Sequence, residues 1–299
     1  MTSPLPRRRF LKIGSTGLAG AFLSPPAIRA GSESRQSPAA EERLFRLGLV
    51  TYNIARHLDL EALLQACEQL GYEALELRST HRHGVEPSLR AEERQSVQSR
   101  FAASSVKLIC LGSACEYHDP RPEVVKKNIE ETKAFLGLAH DLEVPAVKVR
   151  PNGLPKQVDE RTTLRQIAEA LRECAETAEG LGVQIWVEVH GRGTAEPERM
   201  QRILDWCDHP AVGITWNSNP QDVRNGSIRP AFDMLKPWIR NVHLKELYSG
   251  YPYRELFSAL RSIGYSGFTL AEIAGSTDPH RVLRYFRALW QELSQPSQS

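Results

Sequence analysis

The feature of this chain that most limits its fold is a regular alternation of short apolar runs with longer helical stretches. The runs are rich in β-branched residues, as buried strands are. Eight of them follow one another: Arg46–Tyr52, Ala74–Leu77, Lys107–Leu111, Ala146–Arg150, Val183–Val189, Gly213–Trp216, Asn241–Leu244 and Phe268–Glu272. Eight strands in strict alternation with helices predict an α/β fold, and they favour a closed (β/α)8 TIM barrel over an open doubly wound sheet.

The stretches between these strands carry apolar residues at three- and four-residue spacing, which is typical of helices with one buried face. Leu60, Leu63 and Leu64 belong to the first such stripe, and Gly71 ends it. A Gly-x-Gly-x-x-Gly motif does not follow the first strand, which argues against a dinucleotide-binding fold. The pattern predicts one barrel domain over residues 45–294 and a frayed tail over 295–299.

Residues 1–30 have the order of an export signal. Arg7-Arg8-Arg9-Phe10-Leu11-Lys12 precedes a mildly apolar stretch from Ile13 to Leu23, and small residues lead to Ala30. This order resembles a twin-arginine signal, so we expect export to the periplasm, cleavage after Ala30 and a disordered spacer over 31–44. The apolar stretch is shorter than the about 20 residues of a permanent membrane span, although its retention as an anchor stays open.

Charge and cysteine content exclude several classes of protein. The formal net charge is only +2 at pH 7, and part of the basic excess lies before the predicted cleavage point. The domain therefore has no basic surplus that would support a nucleic-acid partner. The five cysteines contain no Cys-x-x-Cys pair, so neither a disulfide framework nor a zinc knuckle is indicated.

Polar side chains with metal-binding atoms lie at the ends of four predicted strands. Glu188 and Glu272 come at the ends of the fifth and eighth runs, Asn217 follows the sixth, and His243 lies in the seventh. Parallel strands of a barrel all point the same way, so these ends meet at one mouth. Two carboxylates, an amide oxygen and an imidazole suit a divalent cation, and oxygen-rich sets favour Mg or Mn.

Four motifs carry a resemblance to a known family. They are Leu70–Arg78 (LGYEALELR), Trp186–His190 (WVEVH), Asn241–Glu246 (NVHLKE) and Gly264–Phe268 (GYSGF), the last followed by Glu272. In this order they resemble a sugar phosphate isomerase/epimerase of the xylose-isomerase-like barrel superfamily. The resemblance covers about residues 45–293.

The resemblance implies a set of metal ligands. In the family, the ends of strands five to eight supply Glu, Asp, His and Glu to one divalent ion, which here would be Mn, Mg, Co or Zn. By position these ligands are Glu188, Asn217, His243 and Glu272. Asn217 departs from the usual Asp, so the set carries a charge of −2 rather than −3 with a neutral histidine. An amide oxygen can coordinate a hard cation, but without its charge we expect weaker metal binding.

The resemblance also implies proton abstraction next to the carbonyl of a sugar or polyol, through an enediolate. The expected export argues against a phosphorylated substrate. Glu188 and Glu272 would exchange protons with the substrate. His243 would be a neutral ligand whose other nitrogen is held by an acceptor. Lys245 lies on the same strand face as His243 and would bind a substrate oxygen. The other expected substrate contacts are His190, Arg192, Glu76 and Arg150.

Three functions stay open at this point. The first is a metal-dependent sugar isomerase or epimerase, and the second is a lyase or dehydratase that uses the same site for β-elimination from a keto-sugar. The third is a non-catalytic carbohydrate-binding barrel in which Asn217 weakens the metal site. An endonuclease ranks last, because the chain lacks the clear set of extra ligands and the basic face of that class. A homodimer is expected from barrels of this kind, without a pattern that points to an interface.

Overall fold

The computed structural model describes residues 45–296, and over this range eight parallel strands close into one barrel. The strands are β1 Arg46–Val50, β2 Ala74–Arg78, β3 Lys107–Glu116, β4 Ala146–Arg150, β5 Gln184–Glu188, β6 Val212–Trp216, β7 Ile239–Leu244 and β8 Phe268–Ala271. Each strand pairs with its neighbours in the chain, and β1 pairs with β8 to close the ring. The predicted (β/α)8 barrel is confirmed. The predicted signal and spacer lie outside the described residues.

A helix follows every strand and covers the outside of the barrel. The helices are α1 Leu60–Leu70, α2 Ala91–Ala102, α3 Pro122–Asp141, α4 Glu160–Gly180, α5 Pro197–Cys207, α6 Arg229–Leu235, α7 Tyr253–Ser262 and α8 Pro279–Leu293. Local signals set their ends. At α1, the Asp59 side chain accepts a hydrogen bond from the Ala62 amide, and Gly71 ends the helix with a φ of 73°.

The interior of the barrel has an apolar floor and a polar upper layer. Successive side chains point to opposite faces of a strand, so residues two apart share the interior. Trp186 belongs to the buried apolar cluster inside the ring, and Glu188 lies two residues further along β5. The same step from apolar to polar occurs from Ala74 to Glu76 on β2 and from Ala146 to Lys148 on β4. Buried polar groups therefore collect at the carboxyl ends of the strands.

The third strand runs five residues beyond the prediction, to Glu116 instead of Leu111. Its extra residues, 112–116, are mostly small and lack the large apolar side chains that mark a buried strand. The Ser113 hydroxyl donates to the Lys148 carbonyl at 2.7 Å and accepts from the Cys115 amide at 3.3 Å. These bonds bridge a shift in the pairing register between β3 and β4, so the strand continues to the rim.

The five cysteines are buried and free: Cys67, Cys110, Cys115, Cys174 and Cys207. Each contributes a small apolar side chain to the core. Within residues 45–296, none of the helices has both the length and the apolar character that crossing a membrane would require.

Candidate active site

The ends of β5, β7 and β8 bring three candidate ligands together. One side-chain atom from each of Glu188, His243 and Glu272 lies within 4.8 Å of the other two. Asn217, the residue after β6, joins this group because its Nδ2 atom lies 3.1 Å from Glu188 Oε1. All four residues expected from the sequence to bind a metal are therefore neighbours at one mouth of the barrel.

The orientation of His243 is set by a carboxylate beneath it. His243 Nε2 lies 2.9 Å from Glu76 Oε2, so this nitrogen carries the proton and donates it to Glu76. Asn241 Nδ2 donates to the same carboxylate oxygen at 3.2 Å. The other ring nitrogen, Nδ1, is 3.6 Å from Glu272 Oε2 and lies toward the candidate ligands. A carboxylate behind a metal-binding histidine is the common arrangement in proteins.

Electrostatics around His243 favour positive charge. Burial lowers the pKa of His243, but the negative charges of Glu76 and Glu272 outweigh burial and raise that pKa to about 10. Burial raises the pKa of Glu76, but His243 and Lys148 outweigh burial, and the net pKa is lowered. Glu76 is thus held as an anion, and the same field would attract a cation.

Glu188 is fixed by a donor on each of its oxygens. Lys148 Nζ lies 2.5 Å from Glu188 Oε2, and the Asn217 amide donates to Glu188 Oε1. Burial raises the pKa of Glu188, but the charges of Lys148 and His243 lower it more strongly, to about 2. Lys148 is itself buried and also lies 3.9 Å from Glu76 Oε1, so one ammonium links two interior carboxylates.

The amide of Asn217 has one usable orientation. Its Nδ2 donates to Glu188 Oε1 at 3.1 Å and to the Val189 carbonyl at 3.3 Å, and both of these atoms are acceptors. Its Oδ1 is buried without a hydrogen-bond partner, as is His243 Nδ1. Buried polar atoms without partners are uncommon in folded proteins. These two atoms are the ones that the predicted ligand set would turn toward a cation, so the residues fit a divalent ion.

The loop after β6 is tied to the site through a second group of hydrogen bonds. Asn219 donates to the Val189 carbonyl at 2.6 Å and accepts from Lys245 Nζ at 3.1 Å. Asp222 Oδ2 in turn accepts from the backbone N–H of Asn219 at 2.7 Å and from the Tyr251 hydroxyl at 3.0 Å. Burial raises the pKa of Asp222 to about 7, because these hydrogen bonds offset only part of the loss of solvent.

The residues expected to contact substrate lie in different environments. Lys245 and the half-buried His190 lie at the mouth, and His190 Nδ1 is 2.6 Å from Asn152 Oδ1. Arg192 is exposed on the loop after β5. Arg150 is engaged in the wall, where its guanidinium contacts Glu116 Oε1 at 2.5 Å.

Glu76 differs most from its expected role as a substrate contact. Its side chain is fully buried below His243 and is 0% exposed. A residue without exposure, already bonded to His243, is placed to orient that ring. The signal in the sequence was weak, because a single Glu in the second strand does not reveal which side chain it meets across the barrel.

The sequence patterns gave little indication of three further residues at the site: Lys148, Asn241 and Asp222. All three are buried and polar. Lys148 lies two residues before Arg150 on β4, and Asn241 lies two residues before His243 on β7. Strand alternation could therefore have placed both side chains in the interior. Asp222 lies beyond β6 in a short 3-10 turn, Pro220–Asp222, and its partner Tyr251 is not predictable from spacing.

Comparison with solved structures shows the same fold in several proteins. D-psicose 3-epimerase with D-tagatose from Clostridium cellulolyticum H10 has a TM-score of 0.72 at 15% identity, covering 84% of this chain and 100% of that chain. IOLI protein with a binding zinc atom has a TM-score of 0.67 at 17% identity, with 84% and 96% covered. The probable 3-DHS dehydratase AsbF from Bacillus anthracis has a TM-score of 0.67 at 15% identity, with 85% and 100% covered. At these identities the likeness shows the fold alone.

The family is shown by a match along most of the barrel. The family described as xylose isomerase-like TIM barrel matches residues 64–289, which include all of the barrel except the first strand, the start of α1 and the end of α8. The resemblance carried by the four sequence motifs is thereby confirmed. The chain belongs to the xylose isomerase-like TIM barrel family.

Proposed function

We propose that the protein is a divalent-metal-dependent isomerase or epimerase that removes a proton next to the carbonyl of an unphosphorylated sugar or polyol. The observation that carries this proposal is the gathering of ligand atoms from Glu188, His243 and Glu272 within 4.8 Å. Membership of the xylose isomerase-like family supports it. So does the fold shared with a D-psicose 3-epimerase.

Glu188, Asn217, His243 and Glu272 would hold one divalent cation, either Mn, Mg, Co or Zn. Bound there, the cation would supply a Lewis acid next to the carbonyl oxygen of the substrate. Three oxygen donors and one imidazole nitrogen suit each of these ions. The zinc reported in the IOLI protein structure, which has the same fold, supports the presence of an ion.

We assign the first proton transfer to Glu272. Its side chain is 10% exposed, whereas that of Glu188 is 4% exposed and lies deeper in the barrel. A proton on Glu188 would break its 2.5 Å ion pair with Lys148, so Glu188 is the poorer first acceptor. In an isomerase, Glu272 itself would return the proton to the neighbouring carbon. In an epimerase, Glu188 would take a proton from Lys148, its ion-pair partner, and deliver it to the opposite face of the substrate.

The Lys148–Glu188 ion pair also favours a second candidate, a lyase. Elimination of a β-substituent needs one base to remove the proton and does not need Glu188 to carry one. Glu272 could serve alone in that reaction. The probable dehydratase AsbF, which shares the fold, supports a reaction of this class.

The remaining side chains at the mouth would bind the substrate. Lys245 uses one N–H for Asn219, so its other N–H groups are available to a substrate oxygen. His190 donates from Nδ1 to Asn152, which leaves Nε2 as an acceptor for a hydroxyl group. Burial lowers the pKa of His190 and favours this neutral form. Glu76 would orient His243 instead of contacting the substrate.

Uptake of solvent deuterium separates these functions. Keto-sugars and polyol-derived ketones are incubated in D2O with the full chain and Mn²⁺, and mass spectrometry measures exchange at the carbon next to the carbonyl. We expect Glu272→Gln to lower the exchange rate at least about a hundredfold, because the variant lacks the carboxylate to which we assign the first proton transfer. Product analysis separates isomers from elimination products.

The matched control is Glu292→Gln, which changes an exposed glutamate on α8 that pairs with Arg254 at 2.9 Å. It should exchange at the wild-type rate. Exchange retained by Glu272→Gln would remove Glu272 from the catalytic role. Binding of sugars without any exchange would leave the carbohydrate-binding barrel as the function.

We further propose that the protein is exported to the periplasm by the twin-arginine route and cleaved after Ala30, with residues 31–44 as a spacer. The order of the signal elements in the sequence supports this proposal. Replacement of Arg7 and Arg8 by Lys should retain the chain inside the cytoplasm. N-terminal sequencing of the periplasmic protein would identify the cleavage point, and an uncleaved chain in the membrane fraction would indicate the anchor instead.

A further inference from the structure

A recess lies beside the candidate active site, on the same face of the barrel. It has a volume of about 420 Å³ and lies among the loops that follow β3, β4 and β5. The lining side chains that matter here are His118, Asp119, Asn152, Lys156 and Arg192. The recess is open to solvent and most of its lining is polar, so it suits a small hydrophilic group.

The recess carries positive charge that no carboxylate in the described part of the chain, residues 45–296, neutralises. Lys156 and Arg192 are exposed, and within residues 45–296 neither makes an ion pair. The one acid in the lining, Asp119, is already paired, since Arg121 contacts its two carboxylate oxygens at 2.9 and 2.7 Å. An anion in the recess would therefore meet two available cations.

Close packing of two loops fixes the wall of the recess. Gly191 has a φ of 96°, and a Cβ atom there would lie 2.6 Å from the Asn152 backbone. Gly153 has a φ of 144°, a conformation that favours glycine, and it lies against the His118 ring. His118 Nδ1 is buried and lacks a hydrogen-bond partner. The loops after β4 and β5 thus hold the recess open as a built feature.

The same wall connects the recess to the candidate active site. Asn152 lines the recess, and its Oδ1 lies 2.6 Å from His190 Nδ1. His190 stands two residues after Glu188, the candidate ligand at the end of β5. One substrate could therefore extend from the candidate ligands past His190 into the recess.

We propose that this recess binds the carboxylate group of an acidic sugar, with Arg192 and Lys156 as its cationic contacts. A guanidinium matches the geometry of a carboxylate with two parallel hydrogen bonds, and a lysine adds a point charge. This inference rests on the proposed function, and it narrows the substrate from sugars in general to sugar acids. Phosphate offers the same oxyanion chemistry. The proposed substrate is an unphosphorylated sugar, which favours the carboxylate.

Binding of D-glucuronate and D-glucose to the full chain tests the proposal, because the two sugars share a ring and differ in the carboxylate. Isothermal titration calorimetry should give tighter binding of glucuronate. Arg192→Gln should weaken glucuronate binding about tenfold, since it removes a charge-assisted contact. Lys156→Gln should weaken it about threefold, and added salt should weaken it further. Both side chains are exposed, so the variants are expected to fold.

Matched controls lose the same charges elsewhere on the surface: Arg229→Gln on α6 and Lys127→Gln on α3, both exposed. They should bind glucuronate as the wild type does. Equal affinity for glucuronate and glucose, or unchanged glucuronate affinity in the Arg192→Gln and Lys156→Gln double variant, would overturn the proposal. Preferential binding of inorganic phosphate or D-glucose 6-phosphate would overturn the carboxylate assignment.

Failure of this inference is distinguishable from failure of the proposed function. If the recess does not select acids, neutral keto-sugars should still take up deuterium from solvent. If the proposed function fails, no keto-sugar takes up deuterium, whether or not glucuronate binding depends on Arg192.

Discussion

The barrel interior and the helical surface contain the same arrangement, a lysine held between two glutamates. On the surface, Lys133 Nζ lies 3.1 Å from Glu130 and 2.8 Å from Glu173, and its side chain is 29% exposed. In the interior, Lys148 Nζ lies 2.5 Å from Glu188 and 3.9 Å from Glu76, and its side chain is 2% exposed.

Burial gives the two clusters different consequences. Water screens the surface cluster, so each of its contacts contributes little to stability. The interior charges have lost their solvent and depend on one another, so removing one leaves the others uncompensated. The exposure and the neighbours of each lysine therefore decide its role, and its residue type does not.

Replacing each lysine by methionine gives the largest expected difference. Lys148→Met should lower the free energy of unfolding by about 3–5 kcal/mol, because Glu76 and Glu188 are left buried without their cation. Lys133→Met should change it by less than about 1 kcal/mol. Urea unfolding in the presence of EDTA measures both, with the slope against urea checked for a change in the denatured state. Equal effects of the two variants would contradict the claim that burial makes the interior cluster the more important one for stability.

The buried Asp222 predicts a pH-dependent difference from a surface aspartate. Its folded-state pKa of about 7 lies above the ordinary 3.8, so its contribution to stability is complete below pH 3.8 and is lost as the pH rises through 7. Asp222→Asn should therefore raise the free energy of unfolding at pH 8 by about 2 kcal/mol, within an upper limit of about 4. The amide oxygen can still accept from Asn219 and Tyr251.

At pH 3.5 Asp222→Asn should match the wild type to within about 0.5 kcal/mol, because Asp222 is mostly protonated in both the folded and unfolded states. The control Asp233→Asn changes an exposed residue that pairs with Lys236 at 3.0 Å, and it should show less than about 0.5 kcal/mol at either pH. Chemical unfolding across this pH range provides the measurement. A lower stability of Asp222→Asn at pH 8 would contradict the assignment of a raised pKa.

Glu76 in the interior and Glu130 on the surface should differ in their effect on metal affinity. Glu76→Gln keeps an acceptor for His243 Nε2 but removes the buried charge behind the ring. We expect metal affinity to fall about 10–100-fold, the usual effect of changing such a partner. Glu130→Gln removes a surface glutamate and should leave the affinity unchanged. Competition with a fluorescent chelator measures both values, and equal affinities would exclude a positioning role for Glu76.

The smallest effect is expected from Asn217→Asp. The carboxylate would bring a charge to the ligand set but would place an acceptor against Glu188 Oε1 and the Val189 carbonyl, where the amide now donates. Without metal, stability should fall by about 1 kcal/mol, or about 2–4 °C in Tm. With Mn²⁺, binding should tighten. Asn225→Asp, in an exposed turn, is the control. Unchanged metal affinity would argue against Asn217 as a ligand.

The architecture could be predicted from the sequence because each strand and helix has a recognisable local pattern. Runs such as the one that became β5 are apolar and β-branched, and stripes such as Leu60, Leu63 and Leu64 repeat at helical spacing. Barrel closure then follows from the number of strands and their alternation with helices. The four strand-end residues could be grouped for the same reason, since parallel strands end at one mouth.

The supporting contacts could not be predicted from the sequence because they join distant strands. Glu76 and His243 are 167 residues apart, and Lys148 and Glu188 are 40 apart. Whether two interior side chains meet depends on the stagger of the strands and on register shifts, such as the one within β2 and β3. Local patterns do not contain that information. The unpartnered Oδ1 of Asn217 likewise follows from the direction of an amide, which spacing leaves open.

Anomalous diffraction from crystals of the full chain grown with Mn²⁺ tests the central claim most directly. We expect one strong peak, bound by Glu188, Asn217, His243 and Glu272 at the carboxyl ends of β5 to β8. A peak at another place on the barrel, or a map without a peak among these four side chains at saturating Mn²⁺, would contradict it.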